Sequence, residues 1–192
     1  MTAPSSTVTT TLRAKAMRAR REMQIADRVD ASRCIANQFL NSRYFLSGHS
    51  IACYLATWDE VDTSLIIERA WRAKKRIFAP VIDAHGKMTF RILLPETTIV
   101  RNRFGLWEPE SASQTEPSDF DVVVTPLVAF DSQCNRIGMG GGYFDRSFAF
   151  LRSRQSWLRP KLIGLAFDCQ KVEKITPTPW DIRLSHVISE SR

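Results

Sequence analysis

The sequence lacks the residue patterns that mark secreted, zinc-binding and membrane proteins. Its four cysteines and three histidines are scattered, without a CxxC pair or metal-ligand spacing. They are Cys34, Cys53, Cys134, Cys169, His49, His85 and His186. The longest run without a charged residue, 44–58, is too short to cross a bilayer, and the N-terminus has no apolar core of the signal-peptide type. We therefore expect reduced thiols, a cytoplasmic location and no membrane partner.

No internal repeat, RNA-binding signature or zinc-finger signature is present, and the rest of the composition is that of an ordinary globular protein. Apolar residues make up 44% of the 192 and charged residues 24%. A chain of this length buries about 70% of its unfolded surface. The net charge of +7 fits either a nucleic-acid-binding protein or an enzyme that handles polyanionic small molecules. We expect a single, monomeric domain over residues 1–192, with the serine- and threonine-rich residues 1–10 mobile.

Apolar periodicity predicts strands that alternate with helices. A basic helix is predicted over Leu12–Met23, with most of its charged side chains on a solvated face, and Leu94–Pro117 is predicted to be mostly loop. The main strands are predicted at Ser50–Ala56, Arg76–Val81, Asp121–Phe130 and Lys161–Phe167. This order predicts an α/β fold, a single three-layer αβα domain with a mostly parallel, Rossmann-like sheet. Its ligand loops are expected at the carboxyl ends of the strands.

Four of the eight glycines lie within residues 138–142, between a predicted strand and a helix predicted from Tyr143 to about Arg154. Such a loop lets backbone N–H groups approach a ligand closely, and beside a helix N-terminus it favours phosphate. Arg136 and Arg146 place positive charge on both sides of the loop, and Asp145 offers Mg²⁺ a hard oxygen ligand. No Gly-Lys-Ser/Thr follows, so the loop is not a Walker motif. The pattern favours a phosphate site over a simple flexible turn.

Three acidic residues have a structural interpretation beside a functional one. Asp145 can compensate the dipole of the predicted helix, Asp181 can close a turn, and Glu60 can cap the next helix. In the functional interpretation Asp145 and Asp181 approach one phosphate cluster and bind a metal, while Glu60 contacts a polar substrate. Glu60 and the glycine loop both follow predicted strands, so we expect them to share one rim of the sheet. No Ser-His-Asp or Cys-His spacing supports covalent catalysis.

Several motifs together carry a family resemblance. PLVAFD over 126–131 is followed by RIGMGGGYFDR over 136–146. Further landmarks are Leu12-Arg13, Tyr54-Leu55, Glu60-Val61-Asp62-Thr63, Glu108-Pro109, FDCQKVEK over 167–174 and Trp180-Asp181. In this order, and over nearly the whole chain, they resemble the 5-formyltetrahydrofolate cyclo-ligase (5,10-methenyltetrahydrofolate synthetase) family, and its bacterial members most closely.

The resemblance implies a ligase that uses ATP and Mg²⁺ to convert 5-formyltetrahydrofolate to 5,10-methenyltetrahydrofolate, releasing ADP and phosphate through a phosphorylated formyl oxygen. Its partner is then a reduced folate and not nucleic acid. The implied nucleotide-binding residues are Arg13, Arg136, Ile137, Gly138, Met139, Gly140, Gly141, Gly142, Tyr143 and Phe144. The implied folate-binding residues are Leu55, Glu60, Met139, Gly140, Gly141, Gly142 and Tyr143. Arg136 and Tyr143 are implied as catalytic, and Asp145 and Asp181 as Mg²⁺ ligands.

Some positions depart from the family pattern. Thr9 stands where a lysine is common, so one phosphate contact is expected to be missing, and Lys15 lies on another side of a helix from Arg13. Cys134 stands where a turn glycine is expected, so Asn135 is predicted to take the positive φ. Two alternatives stay open: a basic nucleic-acid-binding protein that uses the first helix, and a family member that binds ATP and a folate without turnover.

Overall fold

The computed structural model describes residues 4–153 and 159–191. The α-helices there are α1 (Pro4–Glu22), α2 (Ile25–Leu40), α3 (Arg43–Ser47), α4 (Ser64–Arg72) and α5 (Tyr143–Ser147). The strands are β1 (Ser50–Ala52), β2 (Arg76–Ile82), β3 (Met88–Ile92), β4 (Ile99–Arg101), β5 (Trp107–Pro109), β6 (Gln114–Thr115), β7 (Val122–Thr125), β8 (Ala129–Phe130), β9 (Arg136–Ile137), β10 (Lys161–Leu165) and β11 (His186–Ile188). Short 3₁₀ turns lie at Pro117–Asp119, Ala149–Arg152 and Asp168–Gln170.

The main sheet has seven strands in the order β11-β10-β7-β1-β2-β3-β6. The pairs from β11 to β2 are parallel, whereas β3 and β6 add an antiparallel edge. Two antiparallel ribbons, β4–β5 and β8–β9, lie outside this sheet. The predicted mostly parallel sheet is confirmed.

Two hydrophobic cores lie on opposite faces of the sheet, because successive side chains of a strand point to opposite sides. Along β7, Val122 and Val124 join the core under α2 and α4, whereas Val123 joins the other core. Phe39 of α2 and Phe148, directly after α5, are fully buried anchors of the two faces. The helices and the sheet between them form the three layers that the sequence predicts. The layer on the α5 side is the thinner one in the described part of the chain, with one short helix and a 3₁₀ turn.

Helix α1 begins at Pro4, well before the predicted start at Leu12, so most of the segment expected to be mobile is helical. Proline is tolerated in the first helical turn, where its missing N–H is not needed. The hydroxyl of Thr11 donates to the carbonyl of Thr7 (3.0 Å). This bond gives the polar side chain of a poor helix former a partner within the helix. Ala16 is 3% exposed and packs in a small core with the β8–β9 ribbon, and this tertiary packing stabilises the helix.

The predicted strand Asp121–Phe130 is divided in two. β7 ends at Thr125 because Pro126 has no N–H for a ladder bond, and Ala129 and Phe130 pair with β9 instead. The segment Leu94–Pro117, predicted as mostly loop, contains β4, β5 and β6. These strands are two or three residues long, and β4 and β6 are largely exposed, so they carry no apolar period to detect.

The helix predicted from Tyr143 to about Arg154 is shorter in the structure. α5 ends at Ser147 and is followed by the 3₁₀ turn Ala149–Arg152, while Arg154 lies outside the described residues. Among the helices that the structure describes, we find none with the length and apolarity required to cross a membrane.

Candidate active site

The site lies at the carboxyl edge of the sheet, where the loops after β1 and β7 emerge side by side. β1 and β7 are adjacent and parallel, so the loop that contains Glu60 and the glycine loop 138–142 share one rim, as the sequence predicts. Helix α1 crosses this rim and contacts both loops. Arg13 donates from Nε to the carbonyl of Gly138 (2.9 Å), and Arg20 donates from Nη2 to Oδ2 of Asp59 (2.9 Å).

The glycine loop follows the β8–β9 ribbon and needs glycine for two reasons. Gly140 and Gly142 have φ of +104° and +63°, a region that other residues seldom adopt. In addition, a Cβ on Gly141 would lie 2.7 Å from the ring of Tyr143, and one on Gly142 would lie 2.8 Å from Nη1 of Arg146. Side chains therefore cover the loop closely from one side, and its backbone is left exposed on the other.

The charges nearest this backbone are two guanidinium groups. A Cβ on Gly140 would lie 3.8 Å from Cζ of Arg13, and Arg146 donates from Nη1 to the carbonyl of Gly141 (2.7 Å). Arg146 also lies over the ring of Tyr143, with Cζ 5.0 Å from its centroid. Met139 extends outward with 63% of its surface exposed. The loop thus combines free backbone and positive charge, which suits an anionic ligand.

Cys134 and not Asn135 takes the left-handed conformation in the turn of the β8–β9 ribbon, so this prediction is wrong. Cys134 has φ +64°. Asn135 is held instead by Asp131, whose carboxylate accepts from the backbone N (2.9 Å) and from Nδ2 (2.9 Å) of Asn135. Burial raises the pKa of Asp131, but these hydrogen bonds and those from the N–H groups of Ile175 and Gln133 outweigh it, and the pKa is lowered.

Arg136 lies beneath the loop and is bound to the protein itself. Its Nη2 donates to Oδ1 of Asp145 (2.8 Å), its Nη1 donates to the carbonyl of Ile182, and its side chain is 5% exposed. The N–H of Ile182 also donates to Oδ1 of Asp145 (2.9 Å). The contacts of Arg136 thus hold Asp145 in place, whereas the sequence interpretation has Arg136 contacting the nucleotide.

The hydrogen bond from Ile182 brings the segment of Asp181 against Asp145, so the two proposed metal ligands lie on neighbouring segments. Asp181 also closes a turn, because Oδ2 accepts from the N–H of Thr178 (2.7 Å). No group of three or more His, Cys, Asp or Glu side chains within residues 4–153 and 159–191 is arranged to hold a metal. Mg²⁺ needs fewer protein ligands when phosphates are present, since it is commonly bound by one or two carboxylates plus substrate oxygens.

Two predicted nucleotide-binding residues have their side chains packed against hydrophobic cores. Ile137 is 3% exposed in the core with α1, and Phe144 packs against the opposite core, 6.1 Å from the ring of Phe148. α5 has five residues, so the long helix dipole that the sequence predicts behind the loop is missing. The groups available to attract an anion are instead the loop N–H groups, Arg13 and Arg146.

A cleft of about 740 Å³ opens beside Glu60, between α2, the loop after β1 and the β4–β5 ribbon. Its lining is mainly apolar and aromatic, with arginines, and includes Val29, Leu65, Trp58, Trp107, Arg33 and Arg101. Arg101 lies over Trp107, with Cζ 4.4 Å from the ring centroid. Exposed tryptophans and arginines around a cleft can hold a planar ring system and anionic groups.

Asp59 and Glu60 have different roles. Asp59 is 4% exposed and bound to Arg20, whereas Glu60 borders the cleft and accepts at Oε2 from the backbone N and the hydroxyl of Thr57 (both 2.9 Å). Glu60 does not cap α4, since Asp62 accepts from the N–H of Ser64 (2.9 Å) at that end. The structural interpretation of Glu60 as a helix cap is therefore wrong. Leu55, half-buried, packs against the core beside this loop.

The sequence interpretation misses the burial of Arg20, which it assigns to a solvated face. Arg20 is 3% exposed, in contrast to Lys15, which is exposed as predicted. The usable signal is spacing: Arg13, Ala16 and Arg20 recur at i, i+3 and i+7, so they lie on one face of a helix. Trp58, Trp107 and Arg101 carry no comparable signal, because their positions depend on the pairing of distant segments.

Comparisons with known proteins agree with the resemblance. The model of the 5-formyltetrahydrofolate cyclo-ligase family matches residues 5–190. The chain is 39% identical over 150 residues to the 5-formyltetrahydrofolate cyclo-ligase of Escherichia coli, covering 75% of this chain and 79% of that protein. It is 34% identical over 164 residues to the Haemophilus influenzae protein of the same name, covering 82% and 84%.

Solved structures agree on the fold. The 5,10-methenyltetrahydrofolate synthetase of Aquifex aeolicus superposes with a TM-score of 0.82 at 22% identity, covering 96% of this chain and 91% of that one. The synthetase of Mycoplasma pneumoniae superposes with a TM-score of 0.72 at 22% identity, covering 95% and 98%. At such identity the structures show the shared fold alone. Family membership is shown by the family model and the bacterial relatives. The chain belongs to the 5-formyltetrahydrofolate cyclo-ligase family.

Proposed function

We propose that this protein uses ATP and Mg²⁺ to cyclise 5-formyltetrahydrofolate to 5,10-methenyltetrahydrofolate, with release of ADP and phosphate. The observation that carries the proposal is the shared rim. In a chain of this family, an exposed glycine loop with two guanidinium groups lies on the same sheet edge as Glu60 and its aromatic cleft. A nucleotide on the loop and a folate in the cleft would then meet at that edge.

The reaction explains why ATP is needed. The formyl group is bound to a pterin nitrogen and is therefore an amide. An amide is a poor electrophile, and its oxygen is a poor leaving group. In the proposed mechanism that oxygen attacks the γ-phosphorus, and the bond to ADP breaks. The other nitrogen of the folate, which closes the new ring, then attacks the formyl carbon and loses its proton. The C–O bond breaks as phosphate leaves. The first step depends mainly on alignment and on neutralising charge.

The residues of the loop fit a polyphosphate. The backbone of residues 138–142 is accessible, and Arg13 and Arg146 supply positive charge within contact of it. We assign the phosphates to this backbone and to both arginines, and the ring of Tyr143 to the wall behind them. Arg136 is assigned as a positioning residue for Asp145, because its guanidinium is committed to Asp145 and Ile182. Developing charge on the transferred group would be neutralised by Arg13 and Arg146.

Asp145 and Asp181 fit Mg²⁺ by their chemistry and by the meeting of their segments. When bound, Mg²⁺ would neutralise phosphate charge and orient the γ-phosphoryl group. The protein's part is to hold the two carboxylates in place. Arg136 and the N–H of Ile182 do this for Asp145, and the N–H of Thr178 does it for Asp181.

The cleft fits the folate. Its volume and its exposed tryptophans suit the aromatic rings, and Arg33 and Arg101 suit the carboxylates of the glutamate moiety. Glu60 borders the cleft near the rim, with Oε2 fixed by Thr57. We assign Glu60 to the polar edge of the pterin, with Leu55 behind it.

The alternative of a nucleic-acid-binding protein finds less support in the charges of α1. Arg20 is buried against Asp59, and the pairs of Arg18 with Glu22 and of Arg21 with Asp59 further reduce the free positive charge. A phosphate-tracking helix would present such charges to solvent, and its binding would weaken steeply with salt.

The proposal is tested by incubating the protein with 5-formyltetrahydrofolate and following the absorbance of the methenyl product. Product is expected only when folate, ATP and Mg²⁺ are all present. Product formed equally well without ATP would contradict the mechanism. Binding of ATP and folate without product would favour the family member without turnover.

A further inference from the structure

A buried ion pair connects α1 with the loop after β1. Arg20 donates from Nη2 to Oδ2 of Asp59 (2.9 Å), and their side chains are only 4% and 6% exposed. Arg21 adds a second contact to the same oxygen (3.4 Å). Burial raises the pKa of Asp59, but the charge and hydrogen bond of Arg20, together with Thr57 and Arg21, outweigh it and lower the pKa. Asp59 is therefore a fixed anion at neutral pH.

Arg20 contacts both loops of the rim. Besides Asp59, its Nη1 lies 3.5 Å from the carbonyl of Leu127, in the segment that leads from β7 to the glycine loop. Gln170 holds the same segment, because Nε2 donates to the carbonyls of Leu127 and Val128 (both 2.9 Å). Two helical turns earlier on the same face of α1, Arg13 contacts the glycine loop itself. One helix face thus connects the proposed nucleotide and folate loops.

Asp59 in turn determines where Glu60 lies. The hydroxyl of Thr57 is within hydrogen-bond distance of Oδ1 of Asp59 (3.1 Å) and of Oε2 of Glu60 (2.9 Å). The N–H of Glu60 also donates to the carbonyl of Thr57 (3.1 Å), which closes the turn. A displacement of Asp59 would therefore be passed to the carboxylate assigned to the folate.

The stability of the folded protein is a weak explanation for the presence of this buried ion pair. A buried ion pair costs desolvation that its attraction only partly offsets, and a hydrophobic pair of the same volume often stabilises a protein as well or better. In addition, Nε of Arg20 is buried without a hydrogen-bond partner among the described residues. What the pair provides that an apolar pair would lack is a directional connection between two loops.

We propose that Arg20 and Asp59 are a positioning pair that fixes Glu60 relative to the glycine loop and so couples the binding of the two substrates. The proposal rests on the proposed function, because it takes the loop as the nucleotide site and the cleft as the folate site. Neither residue touches a reacting atom. Ordering of α1 by a nucleotide at Arg13 orders Asp59 and Glu60 through Arg20, and a bound folate has the reverse effect on nucleotide affinity.

The test measures the Kd of 5-formyltetrahydrofolate with and without a non-hydrolysable ATP analogue and Mg²⁺. The ratio of the two values is the coupling factor, and for the unmodified chain we expect about 10, within the usual range of coupled sites. Asp59→Asn should bring it close to 1 and raise the KM for folate more than it lowers kcat. Asp59→Glu, which keeps the charge, should retain part of the coupling.

Two further variants separate positioning from stability. Arg20→Met with Asp59→Leu removes both buried charges and leaves only Arg21, which is half exposed, without its partner. It should therefore fold even where Asp59→Asn does not. Its coupling factor should also fall close to 1. Asp121→Asn is the matched control: Asp121 is another aspartate of lowered pKa, paired with Arg159 and placed before β7, at the opposite edge of the sheet. It should lose thermal stability and keep the coupling.

A coupling factor near 1 in the unmodified chain, or an unchanged one in the folded double variant, would overturn the inference. Turnover separates this failure from that of the proposed function. If the unmodified chain forms methenyl product while the double variant keeps its coupling, only the positioning role falls. If the unmodified chain neither binds folate nor turns it over, both proposals fall.

Discussion

The glycine loop and the Thr57–Glu60 turn lie on the same rim of the sheet, yet they are held in different ways. The loop 138–142 takes its shape from its own backbone, with positive φ at Gly140 and Gly142, and most of it is exposed. The turn takes its shape from side chains, because Asp59 is buried against Arg20, which is remote in sequence. A site for phosphate can be built from local backbone freedom, whereas a site that must place one carboxylate requires tertiary contacts.

If the glycine loop depends on backbone conformation, Gly140→Val should have the largest effect. Valine at φ +104° is strained by about 1–2 kcal/mol, and its methyl groups would crowd Arg13. A displaced loop should lower turnover by at least about 100-fold. The measurement is ATP affinity by titration together with kcat. Gly86→Val is the control, since Gly86 has φ +76° in open space in the turn before β3, and it should lose stability but bind ATP normally. Unchanged ATP affinity in folded Gly140→Val would show that the loop does not hold phosphate.

Asp145→Asn and Asp181→Asn test the carboxylates next to the loop. We expect each to lower kcat by about 100-fold and to raise the Mg²⁺ concentration needed, because a site with few protein ligands loses much when one charge is removed. Asp145→Asn should also lower stability, since it removes the negative charge that pairs with the buried Arg136. Asp83→Asn is the matched control: Asp83 closes a turn as Asp181 does, accepting from the N–H of His85. Normal Mg²⁺ dependence in either site variant would remove that residue from the metal site.

Asp131→Asn should reduce stability more than activity per folded molecule, because Asp131 fixes the turn beneath the glycine loop. Loss of a buried acceptor of several N–H groups is expected to lower the free energy of unfolding by about 1–3 kcal/mol at pH 7. The lowered pKa of Asp131 means that its stabilisation is present above the unfolded carboxyl value near 3.9 and is lost as the pH falls below it. Urea unfolding of both proteins at pH 7, 5 and 3 should show the difference shrinking toward pH 3. An equal difference at every pH would contradict this.

The smallest effect is expected from Thr9→Lys. Thr9 lies one turn before Arg13 on the same face of α1, so a lysine there would extend the positive surface toward the phosphates. An exposed lysine contributes about 0.2–1 kcal/mol, which is roughly 1.5- to 5-fold in ATP affinity and should shrink in high salt. Lys15→Ala is the control and should matter little. If Lys15→Ala strongly lowers ATP affinity while Thr9→Lys leaves it unchanged, Lys15 is the phosphate ligand.

The parts of the molecule that the sequence predicts are those with local causes. The mostly parallel sheet can be predicted from apolar runs. The glycine loop can be recognised in the sequence because its residues are contiguous. The shared rim of Glu60 and the loop follows from a general property of parallel sheets. Even the turn of Asp181 is foreseen, as one of the two interpretations of that residue.

The parts that the sequence does not predict depend on contacts between distant segments. The burial of Arg20 is decided by Asp59 and by the segment at Leu127. Arg136 is drawn to Asp145 and Ile182, so its charge is not directed at the loop. Cys134 adopts positive φ because Asp131 holds its neighbour Asn135, which outweighs the intrinsic preference of asparagine for that conformation.

The most direct test of the proposed mechanism follows the formyl oxygen. 5-Formyltetrahydrofolate labelled with ¹⁸O in the formyl group is converted with ATP and Mg²⁺, and the released phosphate is analysed by mass spectrometry. If the formyl oxygen attacks the γ-phosphorus, each phosphate carries one ¹⁸O, and unlabelled folate in ¹⁸O-water gives unlabelled phosphate. Unlabelled phosphate from labelled folate, or label acquired from water, would contradict phosphorylation of the formyl oxygen.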